Sequence, residues 1–187
     1  IYDEGYGVPE DNAEAVKWFR KAAEQGHAIA PFQLGLIYSL GEGVPQDYAE
    51  AAKWYRISAE RGFEVAQNNL GSVYYEGEGV RKNYAEAIKW FRKAAEQGLA
   101  QAQYTLGGMY SQGHGITQNK VEAGKWFRSA AEQGHSGAQY YLGVMYYQGE
   151  GVPKDIAEAI KWLRGAIKQG HVKARNILGN VYDETEA

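Results

Sequence analysis

The sequence contains no cysteine. It can therefore form neither disulfide bonds nor thiolate metal sites, although this absence leaves cytoplasmic, periplasmic and secreted locations open. No apolar run approaches the roughly 20 residues of a membrane helix, and no signal peptide is visible. The net charge of −3 argues against nucleic acid as a partner, which usually calls for a basic surface. The composition, with 44% apolar residues, is that of an ordinary soluble protein.

What the sequence does contain is a strict internal repeat. The five tryptophans are spaced 36 residues apart: Trp18, Trp54, Trp90, Trp126 and Trp162. Each lies in a copy of one segment, represented by Asp47–Gly62 with the sequence DYAEAAKWYRISAERG. A fixed period in this range predicts a stack of helical repeats, in which each unit contacts mainly its neighbours.

Each repeat alternates two segments of helical periodicity, which we call helix A and helix B. Helix B begins at Asp or Asn with Glu three residues later, as in Asp47 and Glu50, and this predicts a capping box in which the Glu side chain reaches back. It ends at a glycine, such as Gly62, that suits a left-handed C′ cap. Helical spacing predicts a buried stripe of Ala51, Trp54, Tyr55, Ser58 and Ala59. We expect the hydroxyl of Ser58 to bond the carbonyl one turn earlier.

Helix A is predicted five times: Ala28–Leu40, Glu64–Glu76, Ala100–Gln112, Ser136–Gln148 and Val172–Glu184. Each copy carries Ala, Leu and Tyr four residues apart, which places them on one helix face, as in Ala66, Leu70 and Tyr74. A glycine follows each Leu. Because glycine inside a helix costs about 1 kcal/mol relative to alanine, its recurrence predicts a close helix–helix crossing.

The predicted array occupies residues 1–187 as a single domain. It comprises a partial repeat at 1–27 (the tail of a helix A and a helix B), full repeats at 28–63, 64–99, 100–135 and 136–171, and a partial repeat at 172–187. Neither end resembles the polar cap of a repeat protein, so we expect either a piece of a longer array or an array capped by another domain.

The recurring patterns A-x-A-Q-x-x-L-G-x-x-Y-x-x-G-x-G-V and D-x-x-E-A-x-K-W-x-R-x-A-A-E-Q-G resemble the Sel-one-like repeat family of tetratricopeptide-like helix hairpins. The resemblance covers essentially the whole chain, and one loop departs from it with Ile116 in place of Val. It implies an all-α fold, a right-handed superhelical α-solenoid of antiparallel helix pairs with the A helices on its concave face. It also implies a non-enzymatic scaffold or adaptor, as in many bacterial members. The chain departs from the cysteine-rich branch.

The helix A positions that face away from the repeated Ala, Leu and Tyr change from copy to copy. In tetratricopeptide-like folds this face lines the groove, so we expect it to bind a partner. The candidates are Phe32, Ser39, Asn68, Tyr75, Glu76, Tyr104, Ser111, Gln112, Tyr140, Tyr147, Gln148, Asn176 and Asp183. Their aromatic and amide character suits a peptide or a protein surface. The acidic Glu76, Asp183 and Glu184 favour a ligand with some positive charge, and the near absence of basic residues apart from Lys173 argues against a carboxylate clamp.

No motif indicates an enzyme, a cofactor or a metal site. Three of the four histidines share one repeat position: His27, His135 and His171. Other copies have Phe63 and Leu99 there, so we interpret the position as a packing slot. No HExxH motif is present, and no Ser-x-x-Lys spacing occurs. The nearest approach to a nucleophile–base pair is Ser111 with His114, at a helix–loop junction.

The leading hypothesis is an interaction scaffold that holds a peptide or a partner domain along helix A, with Tyr104 and Tyr140 at the centre. The alternatives are a structural spacer or oligomerisation module, carbohydrate binding in the same groove, and a solvated face without a ligand. In helix B we interpret Glu50, Lys53 and Arg56 as ordinary helix pairs, Lys53 with Glu50 and Arg56 with the Glu four residues on, although a ladder of such cations could bind an acidic partner.

Overall fold

The computed structural model describes residues 12–186. This part of the chain forms ten α-helices and no β-strand. The helices are α1 (Asn12–Glu24), α2 (Ile29–Leu40), α3 (Tyr48–Glu60), α4 (Glu64–Glu76), α5 (Tyr84–Glu96), α6 (Ala100–Gln112), α7 (Lys120–Glu132), α8 (Ser136–Gln148), α9 (Ile156–Lys168) and α10 (Val172–Glu186). Odd-numbered helices are the predicted B helices and even-numbered ones the A helices, so the all-α helical repeat fold is confirmed. The helix A tail predicted at the start of the chain lies outside the described residues.

The helices pack into two compact units, Ile1–Ala94 and Ala95–Ala187. In the first unit α1 packs on α2, α2 on α3 and α3 on α4. In the second unit α6, α7, α8, α9 and α10 pack in the same sequential order, and α10 also contacts α8. Each helix therefore contacts its neighbours along the chain, as expected of stacked helix pairs.

At the start of helix B, one of the two predicted capping interactions is present. The carboxylate of Asp47 accepts a hydrogen bond from the amide of Glu50, as expected of an N-cap. The prediction that Glu reaches back is wrong. The Glu50 carboxylate instead accepts from Lys53 Nζ at 2.8 Å and from Trp54 Nε1 at 3.1 Å. The carboxylate bonds these two groups and not the N-cap amide, because one is charged and the other is a half-buried N–H that would otherwise lack an acceptor.

The arginine of helix B also takes a different partner from the predicted one. Instead of pairing with Glu60 on its own helix, Arg56 donates to the hydroxyl of Tyr74 on α4, with its guanidinium carbon 5.6 Å from the centre of that ring. The same bond joins Arg164 to Tyr182 at 2.7 Å. The arginine therefore ties helix B to the next helix A. Water screens an ion pair with the exposed carboxylate of Glu60 more than it screens a contact with the partly buried phenol.

The buried stripe of helix B is confirmed, with two corrections. Ser58 is fully buried, but its hydroxyl donates to the carbonyl of Ala28, at the start of α2, and not to its own helix. The tryptophans are unequal: Trp90 is 3% exposed, Trp54 is half-buried and Trp18 is 52% exposed. Trp54 packs against the apolar cluster formed by α1 and α2, so the burial of each tryptophan depends on what lies beside it.

The close crossing predicted from the helix A glycines is confirmed. A Cβ atom at Gly71 would lie 2.8 Å from the ring of Phe91, and one at Gly107 would lie 2.8 Å from the ring of Phe127. Distances this short do not occur between unbonded carbon atoms, so helices A and B pack with backbone directly against an aromatic ring. The glycine closing each helix B has positive φ in every copy, as the C′ cap requires.

The adjacent glycines of α6 give a matched test of this crossing. We expect Gly107→Ala to destabilise the protein by about 1–3 kcal/mol, because the new methyl group overpacks against Phe127. Gly108 has open space where a Cβ would be, so Gly108→Ala should stabilise by up to about 1 kcal/mol through helix propensity. Chemical denaturation measures both. Effects of the same sign would contradict the packing described here.

Candidate functional site

The residues predicted to bind a partner all lie on even-numbered helices, and none is fully buried. The exposed ones are Glu76, Gln112, Gln148, Asn176 and Asp183, and the rest are half-buried. On the opposite face of α4, Ala66 and Leu70 are 0% exposed. The structure therefore places these residues on the accessible side of helix A, and their role in binding stays a prediction.

The aromatic residues two positions before the repeated leucine of helix A pack on the residue after the closing glycine of a helix B. Tyr104 stacks on His135, with ring centres 4.4 Å apart, and Tyr140 stacks on His171 at 4.5 Å. In the first unit Phe32 meets Phe63 edge to face at 5.1 Å. The histidine position is thus a packing slot, as interpreted from the sequence, and it holds the rings of the predicted site in place.

The hydrogen bonds of His135 identify its tautomer. Its Nδ1 accepts from the amide of Ala138 at 3.2 Å, so the ring also caps the start of α8. Its Nε2 lies 3.1 Å from Oε1 of Gln101 and donates to it. Burial lowers the pKa of His135, since the charged imidazole loses solvation.

Acid should therefore weaken the fold through His135. As the pH falls below the ordinary histidine pKa, the unfolded chain takes up the proton before the folded chain does, so stability present at neutral pH is lost. The variant His135→Phe introduces the residue that the equivalent position of another repeat carries, Phe63. We expect its melting temperature to decrease less than that of the wild type when the pH is lowered from about 7.5 to about 5. Calorimetry at both pH values measures this. An equal decrease in the two proteins would contradict the assignment.

An open aromatic recess lies on the second unit between α6, α8 and the start of α10. It encloses about 360 Å³ and is lined by Tyr104, Tyr140, Tyr141, Gly170, His171, Val172 and Lys173. The Tyr141 ring is 38% exposed and stacks on Phe127 at 5.2 Å, nearly parallel to it. It also lies 5.1 Å from the ring of Tyr140. The predicted centre of the site, Tyr104 with Tyr140, is therefore brought together with a third tyrosine.

Sequence reasoning missed Tyr141. It lies one position before the repeated leucine, about 100° from it, outside the arc assigned to the groove. A usable signal was present, because this position also varies between copies: Gln33, Asn69, Thr105, Tyr141 and Ile177. Burial raises the pKa of Tyr104, which keeps its hydroxyl neutral.

Other predicted residues are engaged with the chain itself. Tyr147 donates to the carboxylate of Glu184, and this hydrogen bond raises the pKa of Tyr147. Glu184, expected from the sequence to favour a cationic ligand, is thus already partnered. Tyr75 packs edge to face on Tyr84 at 5.2 Å. These residues are less available to a ligand than those of the recess.

A second cavity, of about 280 Å³, opens on the first unit between α2, α3 and α4. Its lining residues are Ser39, Leu40, Tyr48, Ala51, Tyr55, Asn69, Ser72, Val73 and Glu78. Only Ser39 was among the predicted site residues, and its hydroxyl lies 3.1 Å from that of Tyr55. The others were missed because they come from helix B, from a loop and from the flank of helix A.

The described residues contain no group of three or more His, Asp or Glu side chains arranged to hold a metal ion. Between residues 12 and 186, every helix is too short or too polar to cross a membrane.

The Sel1 repeat pattern matches residues 1–27, 28–63, 65–99, 100–135 and 136–171. None of the proteins of curated function is similar enough to the chain to count as a match.

Solved structures show the same repeat fold. A protective antigen of uropathogenic Escherichia coli strains, with an SLR fold, is 44% identical with a TM-score of 0.92 over 97% of this chain. This chain spans 39% of the length of that protein. A Sel1 repeat protein from Oxalobacter formigenes is 39% identical with a TM-score of 0.85 over 97% of this chain and 72% of its own. Cysteine-rich protein B of Helicobacter pylori, 21% identical with a TM-score of 0.57 over 70% of this chain and 96% of its own, shares the fold alone.

Proposed function

The chain belongs to the Sel1 repeat family, whose members are generally protein-interaction scaffolds, and from this premise we propose that it binds a peptide segment of a partner protein along its even-numbered helices. The central contact is the aromatic recess of the second unit, with Tyr140 and Tyr141 as anchors. The family is typically non-enzymatic, so the bound peptide is held and not converted.

The observation that carries this proposal is the cluster of three tyrosines around one open recess. Tyrosine and tryptophan are enriched at the centres of protein interfaces, since each ring offers a large contact area with few rotatable bonds. A volume of about 360 Å³ accommodates one or two apolar side chains of a peptide.

The rings of the recess are held before any ligand arrives. Tyr104 is fixed by its stack on His135, Tyr140 by its stack on His171, and Tyr141 by its stack on Phe127. Side chains that are already ordered lose little entropy on binding, which leaves more of the contact energy as affinity. The packing slot interpreted as purely structural thus also prepares the binding surface.

The opposite surface is a poorer candidate, because its repeated lysines already pair with glutamates. The lysine of helix B pairs with the glutamate three residues before it in each unit, at 2.8 Å for Lys53 with Glu50 and 2.8 Å for Lys161 with Glu158. Lys161 and Trp162 together hold the pKa of Glu158 below its usual range. An acidic partner would have to compete with these internal pairs.

Selection from a random peptide library tests the proposal. The chain of residues 1–187 is immobilised, and a library of random peptides of about 12 residues, which reach about 40 Å when extended, is panned. Enriched peptides are measured by calorimetry. We expect peptides rich in aromatic and aliphatic residues that bind with one-to-one stoichiometry. Failure to enrich any saturable binder would contradict the proposal.

A further inference from the structure

The loop after α4 and the loop after α8 each bring a glutamate to the start of the preceding helix B. Glu78 in the first unit and Glu150 in the second occupy the same repeat position. The two loops are placed alike. A Cβ at Gly79 would lie 2.2 Å from the carbonyl carbon of Tyr48, and a Cβ at Gly151 would lie 2.3 Å from the carbonyl oxygen of Lys120. The two units can therefore be compared position by position at this place.

The second unit supplies its own cation to the glutamate. The ammonium group of Lys120 forms an ion pair with the carboxylate of Glu150. In the first unit the residue at the lysine position is Tyr48, and Glu78 forms no ion pair with any described residue. One unit thus carries a neutralised carboxylate and the other an exposed carboxylate in the same setting.

A cavity lies beside that exposed carboxylate, and two of the side chains around it are smaller than their counterparts in the second unit. In the second unit Tyr141 covers the ring of Phe127, and the first unit has Asn69 and Tyr55 at these positions. Likewise Ser72 stands where the second unit has a valine. The smaller side chains help to leave the opening of about 280 Å³, with Glu78 and Tyr48 among its walls.

The walls of this cavity combine aliphatic side chains with polar groups. Leu40, 61% exposed, and Val73 present aliphatic surface. The ring of Tyr48 is 40% exposed, and its hydroxyl accepts a hydrogen bond from Gln46 Nε2 at 3.0 Å, which fixes its position. Tyr55, 4% exposed, turns its hydroxyl to Ser39 inside the cavity. An aliphatic chain that ends in a cation matches these walls: its methylene groups lie on the leucine and valine, and its charge meets the tyrosine rings and Glu78.

We propose that this cavity receives a basic side chain, lysine or arginine, of a peptide. Its charged group lies at Glu78 as the ammonium of Lys120 lies at Glu150. The inference rests on the proposed function, because its ligand is a peptide. It adds a specificity for basic side chains and places it at a different surface, on the first unit. The sequence indicated a preference for a positively charged ligand from other acidic residues, and this inference assigns that preference to Glu78.

Two variants test this assignment. One introduces a residue that the equivalent position of the second unit carries, and the other changes the side chain as little as possible. Tyr48→Lys reproduces the second unit and supplies an internal cation to Glu78. Glu78→Gln removes the charge while keeping the shape of the side chain. The control is Glu150→Gln, the same change at the equivalent position of the second unit.

The measurement compares the peptides enriched by the wild-type chain with those enriched by the variants. A selected peptide is then paired with a version in which its lysine or arginine is replaced by methionine, and both are titrated by calorimetry. We expect the wild type and Glu150→Gln to prefer the basic peptide about tenfold or more, as for a hydrogen bond to a charged group. In Tyr48→Lys and Glu78→Gln the preference should shrink to about twofold or less.

The outcomes separate this inference from the proposed function. Peptides that are enriched and require Tyr140 and Tyr141, but show no preference for basic residues, would overturn the basic-side-chain assignment and leave the scaffold function supported. A preference that survives both Tyr48→Lys and Glu78→Gln would overturn it in the same way. A library that yields no binder at all would overturn both.

Discussion

Trp90→Ala is expected to destabilise the protein by about 3–5 kcal/mol, as is typical when a buried large aromatic side chain is truncated to alanine. Trp90 is 3% exposed, and its indole N–H donates to the carboxylate of Glu86 at 3.2 Å. The truncation leaves a cavity in α5 and removes this partner from the glutamate. For a protein of this length the loss corresponds to a decrease in melting temperature of about 6–20 °C.

The control is Trp18→Ala, which makes the same chemical change at an exposed place. Trp18 is 52% exposed, so little apolar surface returns to water, and we expect a cost of about 1 kcal/mol or less. Thermal and chemical denaturation of the two variants are compared with wild type. A Trp90→Ala protein that melts within about 2 °C of wild type would show that the repeat stack does not depend on this residue.

The largest effect on binding is expected from the double variant Tyr140→Asn/Tyr141→Asn. It removes both anchors of the recess and should weaken binding of a selected peptide by about 2–4 kcal/mol, or about 30-fold to 1,000-fold. Asparagine is chosen because the chain itself carries Asn68 and Asn69 at the equivalent positions of α4. The fold therefore accommodates this pair, and the loss reports on binding.

Two checks accompany this variant. Its far-ultraviolet circular dichroism and melting temperature should stay close to wild type, although the loss of the stack on His171 will cost some stability. As a control for binding, Lys53→Ala removes an exposed residue of helix B and should leave the affinity unchanged. Wild-type affinity in a folded double variant would remove the recess from the binding site.

Most of the fold could be predicted because it depends on local pattern. The period of the tryptophans, the face shared by Ala66 and Leu70, and the glycine beside Leu70 are all visible in one repeat, and each has a direct structural meaning. Copies of a repeat also confirm one another. A pattern that would be weak in one segment becomes specific when it recurs in register.

The side-chain partners of helix B could not be predicted in the same way. The spacing of Asp47 and Glu50 fits a reciprocal capping box, but Glu50 is also placed to reach Lys53 and Trp54 on the next turn. Sequence spacing permits both arrangements, and the choice between them depends on the packing around the carboxylate. The partner of Arg56 lies on another helix, so no count along one helix could find it.

The functional surfaces were only partly predictable for a related reason. A helical wheel assigns residues to one face of one helix, and it correctly placed Tyr104 and Tyr140 on the accessible side. The recess and the cavity are formed between helices. Tyr141 and Tyr48 belong to them because neighbouring repeats bring a ring or a loop against these positions. The comparison of copies, position by position, identifies such places better than the wheel does.

Mapping a selected peptide on the isotope-labelled chain of residues 1–187 by nuclear magnetic resonance tests the central claim most directly. Binding at the A-helix surface predicts that the amide signals of Tyr104, Tyr140, Tyr141 and His171 shift on titration, with the same dissociation constant as calorimetry gives. Shifts confined to the odd-numbered helices, around exposed pairs such as Lys53 with Glu50, would contradict it.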